Sequence, residues 1–219
     1  MYALDLATAT AERLRILCIG AHSDDIEIGC GGLILSLLKR RAKVEVAWVV
    51  FSAPPGRDRE ANRGARLFLK GAARRRVTLL KFRDGHFPFD GAAIKKEFEG
   101  LKHNVTPDLI LTHYRRDRHQ DHRMLSDLTW NTFRDHWILE YEIPKFDGDL
   151  GTPNCFVPLN ETICEEKTRY LLTAFGSQRK KHWFSDEIFK GLMRLRGMEC
   201  RSPSGYAEAF YGRKIALNI

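Results

Sequence analysis

The chain predicts an α/β protein with a mostly parallel sheet and helices on both faces, and two observations predict it. The apolar runs "RLRILCIG", "VEVAWVVF", "VTLLKF" and "PDLILTH" are rich in Val, Ile and Leu without polar alternation, as strands buried on both faces are. Segments with apolar residues at helical spacing separate them. The resulting order β-α-β-α-β-α-β is that of parallel strands joined by crossover helices.

Each element has its own reason. The opening "MYALDLATATAERLRIL" lacks a basic region followed by an apolar core, so it reads as a short leader into the first strand. "CGGLILSLLKRRAK" has one apolar face and a basic last turn, which suits the negative end of a helix dipole. "REANRGARLFLKGA" is the next helix, and "DGAAIKKEFEGLKHN" sets Ile94, Phe98 and Leu101 at helical spacing. "DHRMLSDLTWNTFRDH" reads as a fourth helix and "WILEYEI" as a further strand. "YEIPKFDGDLGTPNCFVPL" is rich in Pro and Gly and reads as a long ordered loop. Two helices, "ETICEEKTRYLLTAF" and "SDEIFKGLMRLRGMEC", and a short strand at "YAEAFY" complete the chain. A single domain is expected over residues 1–219, the part from about residue 140 acting as a specificity or covering region.

Composition narrows the function classes. With 43% hydrophobic and 29% charged residues the chain is an ordinary globular one, and no apolar stretch approaches the ~20 residues of a membrane span. Five scattered cysteines without a CxxC pair indicate neither a disulfide framework nor a thiolate zinc knuckle, and a reducing cytoplasm is expected. The sequons at Asn104 and Asn160 then carry no meaning. The net charge of +8 is spread along the chain, densest in "KGAARRRVTLLKFR", with no aromatic-interleaved stripe. No nucleic-acid partner is expected; a basic rim suits an anionic small substrate equally well.

The chemistry gathers at two strand ends. In open α/β sheets, sites form beyond the carboxyl ends of the strands. After "ILCIG" come His22, Asp24 and Asp25, and after "LILTH" the segment "YRRDRHQDHR" supplies, with the strand's own His113, the residues Asp117, His119, Asp121 and His122. A dinucleotide cradle would need G-x-G-x-x-G at the first turn, and two carboxylates there would repel a pyrophosphate. Gly29, Gly31 and Gly32 come too late for that and suit close approach of helix to sheet. A catalytic metal site typically takes three protein ligands and keeps a position for water. His22, Asp25 and His122 can supply the three, which leaves Asp24 as general base. His119, held protonated by Asp121, can stabilise an oxyanion or protonate a leaving group. Zinc suits these donors, and Fe2+, Mn2+ or Co2+ would be accepted too.

"AHSDD" followed by "HQDH" resembles the LmbE-like, or PIG-L, family of metal-dependent N-deacetylases, whose signature pairs an A/P-H-P-D-D segment with a later H-x-D-H. "YAEAF" is similar to the family's late segment. The resemblance implies a Rossmann-like fold that removes acetyl groups from N-acetylated amino sugars or related glycosides. By position it implies His22, Asp25 and His122 as zinc ligands, Asp24 as base, His119 as oxyanion stabiliser and Asp121 as the acid that orients it. Arg57 resembles the family's substrate arginine, with Arg59 competing for the alignment. His113 joins Arg57 as a substrate-binding candidate, and Asp84 and His86 in "RDGHFP" are weaker ones. Ser23 stands where the family usually has proline, which leaves the ligand identities untouched. The expected function is a zinc-dependent N-deacetylase acting on a small N-acetyl sugar or glycoconjugate. The alternatives are another metal-dependent hydrolase or hydratase on the same site, and a non-catalytic basic binding protein. A homo-oligomer stays open.

Overall fold

The computed structural model describes residues 13–40 and 43–215, so the leader expected at the N-terminus lies outside the described residues. The strands are β1 (Leu14–His22), β2 (Val44–Ser52), β3 (Arg74–Leu79), β4 (Leu109–His113), β5 (Trp137–Tyr141), β6 (Cys155–Leu159) and β7 (Tyr206–Gly212). They form one sheet in the order β3-β2-β1-β4-β5-β7-β6. The first five run parallel, and β7 pairs antiparallel with both β5 and β6.

Alternation along β1 shows how the sheet is buried. Leu14, Ile16 and Cys18 belong to one apolar cluster, and Leu17, Ile19 and Ala21 to the other. Helices α1 (Asp25–Arg40), α2 (Arg57–Phe68), α5 (Glu161–Ala174) and α6 (Asp186–Glu199) bring Ile34, Phe68, Leu171 and Met193 to the first cluster. Helices α3 (Gly91–Asn104) and α4 (Gln120–Thr132) bring Phe98 and Leu125 to the second. At the far end of the strands from the two clusters of His and Asp, Asp108 accepts from the backbone N–H of Arg15 at 2.8 Å. It also takes both sides of the Arg15 guanidinium, at 3.1 and 2.7 Å, which ties β1 to the start of β4.

Three local readings are corrected. Helix α1 starts at Asp25, five residues before the expected "CGG", and is broken at Cys30 (φ −143°, ψ 15°). Strand β3 starts at Arg74, inside the basic cluster. The loop expected up to Leu159 ends instead in β6, an edge strand whose one partner among the described residues is β7; an edge accommodates Pro158, which has no N–H to donate. The glycines of α1 do allow close approach: a Cβ on Gly29 would lie 2.1 Å from the Tyr141 ring, and one on Gly31 2.4 Å from Phe68. Among the described residues no helix is long and apolar enough to cross a membrane.

Tyr141 cannot yield easily, because its hydroxyl donates to the Ile19 carbonyl at 2.6 Å. Gly29→Ala is therefore expected to cost about 2 kcal/mol or more. For a domain of this size that is a fall in Tm of roughly 4–8 °C, readable in a thermal melt. The Arg15 hydrogen bonds hold the Asp108 carboxyl below its ordinary pKa. Their stabilisation is present above the unfolded carboxylate pKa of about 3.9 and is lost as pH falls through the lower native value. Asp108→Asn should thus cost about 1 kcal/mol in urea denaturation at pH 7, and progressively less in acid.

Candidate active site

The end of β1, the first turn of α1 and the N-terminus of α4 converge on one carboxylate. Oδ2 of Asp25 accepts the backbone N–H of His22 at 2.6 Å. It also lies 3.4 Å from His22 Nδ1, 3.5 Å from His122 Nε2 and 3.3 Å from His113 Nε2. His22 Nδ1 and His122 Nε2 are 3.1 Å apart. Burial raises the pKa of Asp25, but the three histidines outweigh it and hold the carboxyl well below its ordinary range.

The second nitrogens of His22 and His122 are engaged elsewhere. His122 Nδ1 donates to Asp117 at 2.9 Å, and Asp117 in turn receives Lys145 at 3.0 Å. Burial, then His113, push the pKa of His122 down to about 4, which leaves its Nε2 lone pair free at neutral pH. His22 Nε2 faces Asp84 at 2.9 Å and Asp121 at 3.3 Å. Burial lowers the pKa of His22, yet Asp25, Asp121 and Asp84 outweigh it and leave it well above the ordinary value. The surrounding carboxylates favour a cation at this point.

His22, Asp25 and His122 fit a divalent metal ion. Their facing atoms are separated by 3.1, 3.4 and 3.5 Å. Tetrahedral ligands at about 2.0–2.1 Å from zinc stand roughly 3.3 Å apart. Both imidazoles also have a carboxylate on the nitrogen turned away, one of the partners by which metal-bound histidines are oriented. Donor atoms gather in other combinations as well, among them Asp25, His113 and His122, and His22, Asp84, His119 and Asp121. His113 Nε2 is not free for an ion, because it accepts the Ala21 N–H at 2.9 Å.

Asp24 stands beside this cluster in a different setting. Its Oδ1 meets Arg57 Nη2 at 3.0 Å, and its buried Oδ2 has no hydrogen-bond partner. Burial raises its pKa; Arg57 opposes that and Asp25 adds to it, and the net shift is upward. Arg57 is shared with Glu60 and with the Ser177 hydroxyl at 3.1 Å. It therefore reaches the site through the base candidate, while Arg59 is exposed and makes no side-chain contact there.

Three expectations change. His113 is fully buried, which removes it as a substrate contact. The Asp121 carboxylate does not hold the His119 ring. It accepts the backbone N–H groups of Gly85 at 2.7 Å and Phe87 at 3.1 Å, and only the Asp121 N–H reaches His119 Nδ1, at 3.3 Å. His119 is also not held protonated, since burial and His22 lower its pKa. With Nδ1 accepting, the neutral ring carries its proton on Nε2 and remains a donor. The weaker candidate Asp84 does touch His22, whereas His86 turns to the Asp84 carbonyl and Phe89. Sequence reasoning misses Lys145: it lies in the segment that reads as a loop, and no local pattern ties it to Asp117.

The chain matches the family model described as PIG-L, GlcNAc-PI de-N-acetylase, over residues 17–133. Among solved structures it is similar to a conserved protein from Thermus thermophilus, with TM-score 0.75 and 20% identity over 94% of this chain and 97% of that one. It is also similar to an N,N'-diacetylchitobiose deacetylase from Pyrococcus horikoshii (TM-score 0.69, 20% identity, 91% and 83% covered). A 4-carboxy-2-hydroxymuconate hydratase from Pseudomonas putida matches with TM-score 0.69 and 15% identity, 94% and 99% covered. At these identities the structural likenesses establish the fold alone.

If Asp121 serves the 84–87 loop, Asp121→Asn should speed amide hydrogen exchange at Gly85 and Phe87 by about tenfold, the loss of a charge-assisted hydrogen bond. His119→Ala should leave those amides unchanged. Equal effects of the two substitutions would return Asp121 to the role of orienting His119.

Proposed function

This chain belongs to the PIG-L family, and from that premise we propose that it is a zinc-dependent N-deacetylase hydrolysing the acetamide of an N-acetylated amino sugar or glycoconjugate in a reducing cytoplasm. The observation that carries the reading is the triangle of His22, Asp25 and His122 donor atoms with the half-unpartnered Asp24 carboxylate next in sequence. Those three residues would hold the ion. When bound, a divalent metal polarises an amide carbonyl and lowers the pKa of a water it carries to about 7.

The chain's own groups do the rest. Asp24 has an oxygen free to take the proton of the attacking water, and burial shifts its pKa toward the range where a base works at neutral pH. The new C–O bond pushes negative charge onto the former carbonyl oxygen, toward which His119 Nε2–H is the available donor. The C–N bond then breaks as the nitrogen gains a proton from the protonated Asp24, while the neutral His119 ring keeps its Nε2–H as a hydrogen-bond donor. The products are acetate and a free amine. Arg57 holds Asp24 by one oxygen, so the base keeps its orientation through the cycle.

Metal analysis tests the centre directly. Purified wild-type protein should hold about one zinc per chain, and the His22→Ala, Asp25→Ala double variant none. A wild type that takes up no metal on reconstitution would end the reading. Amine release from N-acetyl amino sugars tests the chemistry. His119→Ala should retain metal and lose about a hundredfold or more in turnover, the effect of removing one oxyanion donor; full activity would remove His119 from the mechanism.

A further inference from the structure

The break in α1 is bridged by two charged side chains that come from the far end of the chain. A helix that stops and restarts leaves carbonyls unpaired before the break and N–H groups unpaired after it. Here the break is at Cys30. Before it, the Ile28 carbonyl accepts Lys167 Nζ of α5 at 2.6 Å. After it, the N–H groups of Gly32 and Leu33 donate to the two carboxylate oxygens of Glu208 on β7, at 2.6 and 2.7 Å. Lys167 and Glu208 meet each other at 2.6 Å, and both are buried. Gly32 lets the carboxylate in, since a Cβ there would lie 2.9 Å from Glu208 Oε1 and 2.6 Å from Leu159.

A gain in stability is a poor reason for such a pair. Buried ion pairs can be replaced by apolar residues of like volume with little loss, because desolvating the two charges offsets their attraction. An apolar pair would, however, leave the three backbone groups of the break unpaired in the interior, which is expensive. The pair is thus matched to the bend itself. The bend sets off the turn Asp25–Gly29, which starts with the Asp25 carboxylate and follows directly on Asp24. On its other side that turn packs so closely on Tyr141 that only glycine fits at position 29.

We propose that Lys167 and Glu208 are positioning residues for the site: by holding the two halves of α1 at the break they aim the Asp24–Asp25 turn at the histidines. The inference assigns a task to the late "YAEAF" segment, and it rests on the reading of Asp25 as ligand and Asp24 as base. Without the pair, the first turn of α1 loses its fixed angle to the sheet while the rest of the core stays packed.

The test compares Glu208→Gln with Phe133→Ala, a core truncation just after α4 in the second apolar cluster, on the other face of the sheet from α1, under conditions matched for equal loss of Tm. The apoproteins are titrated with Co2+ alone, and kcat and KM are measured on the loaded enzymes. Glu208→Gln is expected to weaken Co2+ binding by about tenfold or more, as loss of an outer support does. It should also lower kcat with little change in KM, while Phe133→Ala alters neither. Equal behaviour of the two variants would overturn the proposal. If Glu208→Gln does not fold, Gly32→Ala, which displaces the carboxylate without removing it, takes its place under the same criteria. Should wild type bind no Co2+, the metal reading fails by itself, and amide exchange of the apoprotein decides the positioning claim. Selectively faster exchange at Ile28 in Glu208→Gln supports it, and equal rates in the two variants refute it.

Discussion

One oxygen of Asp25 organises the site. It accepts the His22 N–H, which closes the turn from β1 into α1, and three imidazoles stand within 3.5 Å of it. Ionised carboxylates are rarely buried without partners, because desolvation opposes the charge. Here the surrounding histidines supply compensation, and each must in turn be oriented. His122 is held by Asp117 and, through it, by Lys145; Lys145 also binds Asp149, which accepts the Arg118 N–H. His22 is held by Asp84 and Asp121, and Asp121 gathers the backbone of residues 85–87. The two loops around the site are therefore fastened to it by the requirement that buried polar groups find partners.

The sheet brings these groups together because of its winding. From β1 the chain moves outward through β2 to β3, then returns past β1 to lay down β4 on the other side. Neighbouring parallel strands whose following helices leave in opposite directions part at their carboxyl ends, and the crevice opens there. His22 ends β1 and His113 ends β4, so two segments distant in sequence meet at one end of the sheet, both against Asp25. The antiparallel strands β7 and β6 extend the same sheet and carry Glu208 toward α1.

What can be read in the sequence is what side-chain pattern encodes. Unbroken apolar runs mark β1, β2 and β4, and clustered His and Asp at the strand ends mark the residues that meet. The parts that escape depend on backbone donors and on distant partners. Proximity in sequence pairs Asp121 with His119, but the N–H groups of Gly85 and Phe87 compete for it and win, and no side-chain pattern announces them. His113 belongs in the crevice by its place at a strand end; the Ala21 N–H takes its Nε2 and turns it inward. The start of α1 is hidden because Gly29, Gly31 and Gly32 are poor helix formers, while the partners that make the broken helix possible lie on α5 and β7. Strand β6 is masked by Pro158, which an edge strand tolerates.

Asp24 and Asp25 show how much a single turn can separate. Both are adjacent, buried and chemically identical, and burial alone would raise both pKa values. Asp25 faces three imidazoles and a backbone N–H, so its charge is well compensated and its carboxyl stays far below the ordinary range. Asp24 faces one arginine whose charge is divided with Glu60, and one of its oxygens has no partner. Its proton affinity is raised. Environments that drive two like groups apart in this way divide acid–base labour between them. The poorly compensated carboxylate is suited to take up and return a proton, and the well compensated one to remain an anion. On the proposed reading that division follows from where the turn points its two side chains, which makes the angle of the first turn of α1 as much a part of the chemistry as the groups it carries.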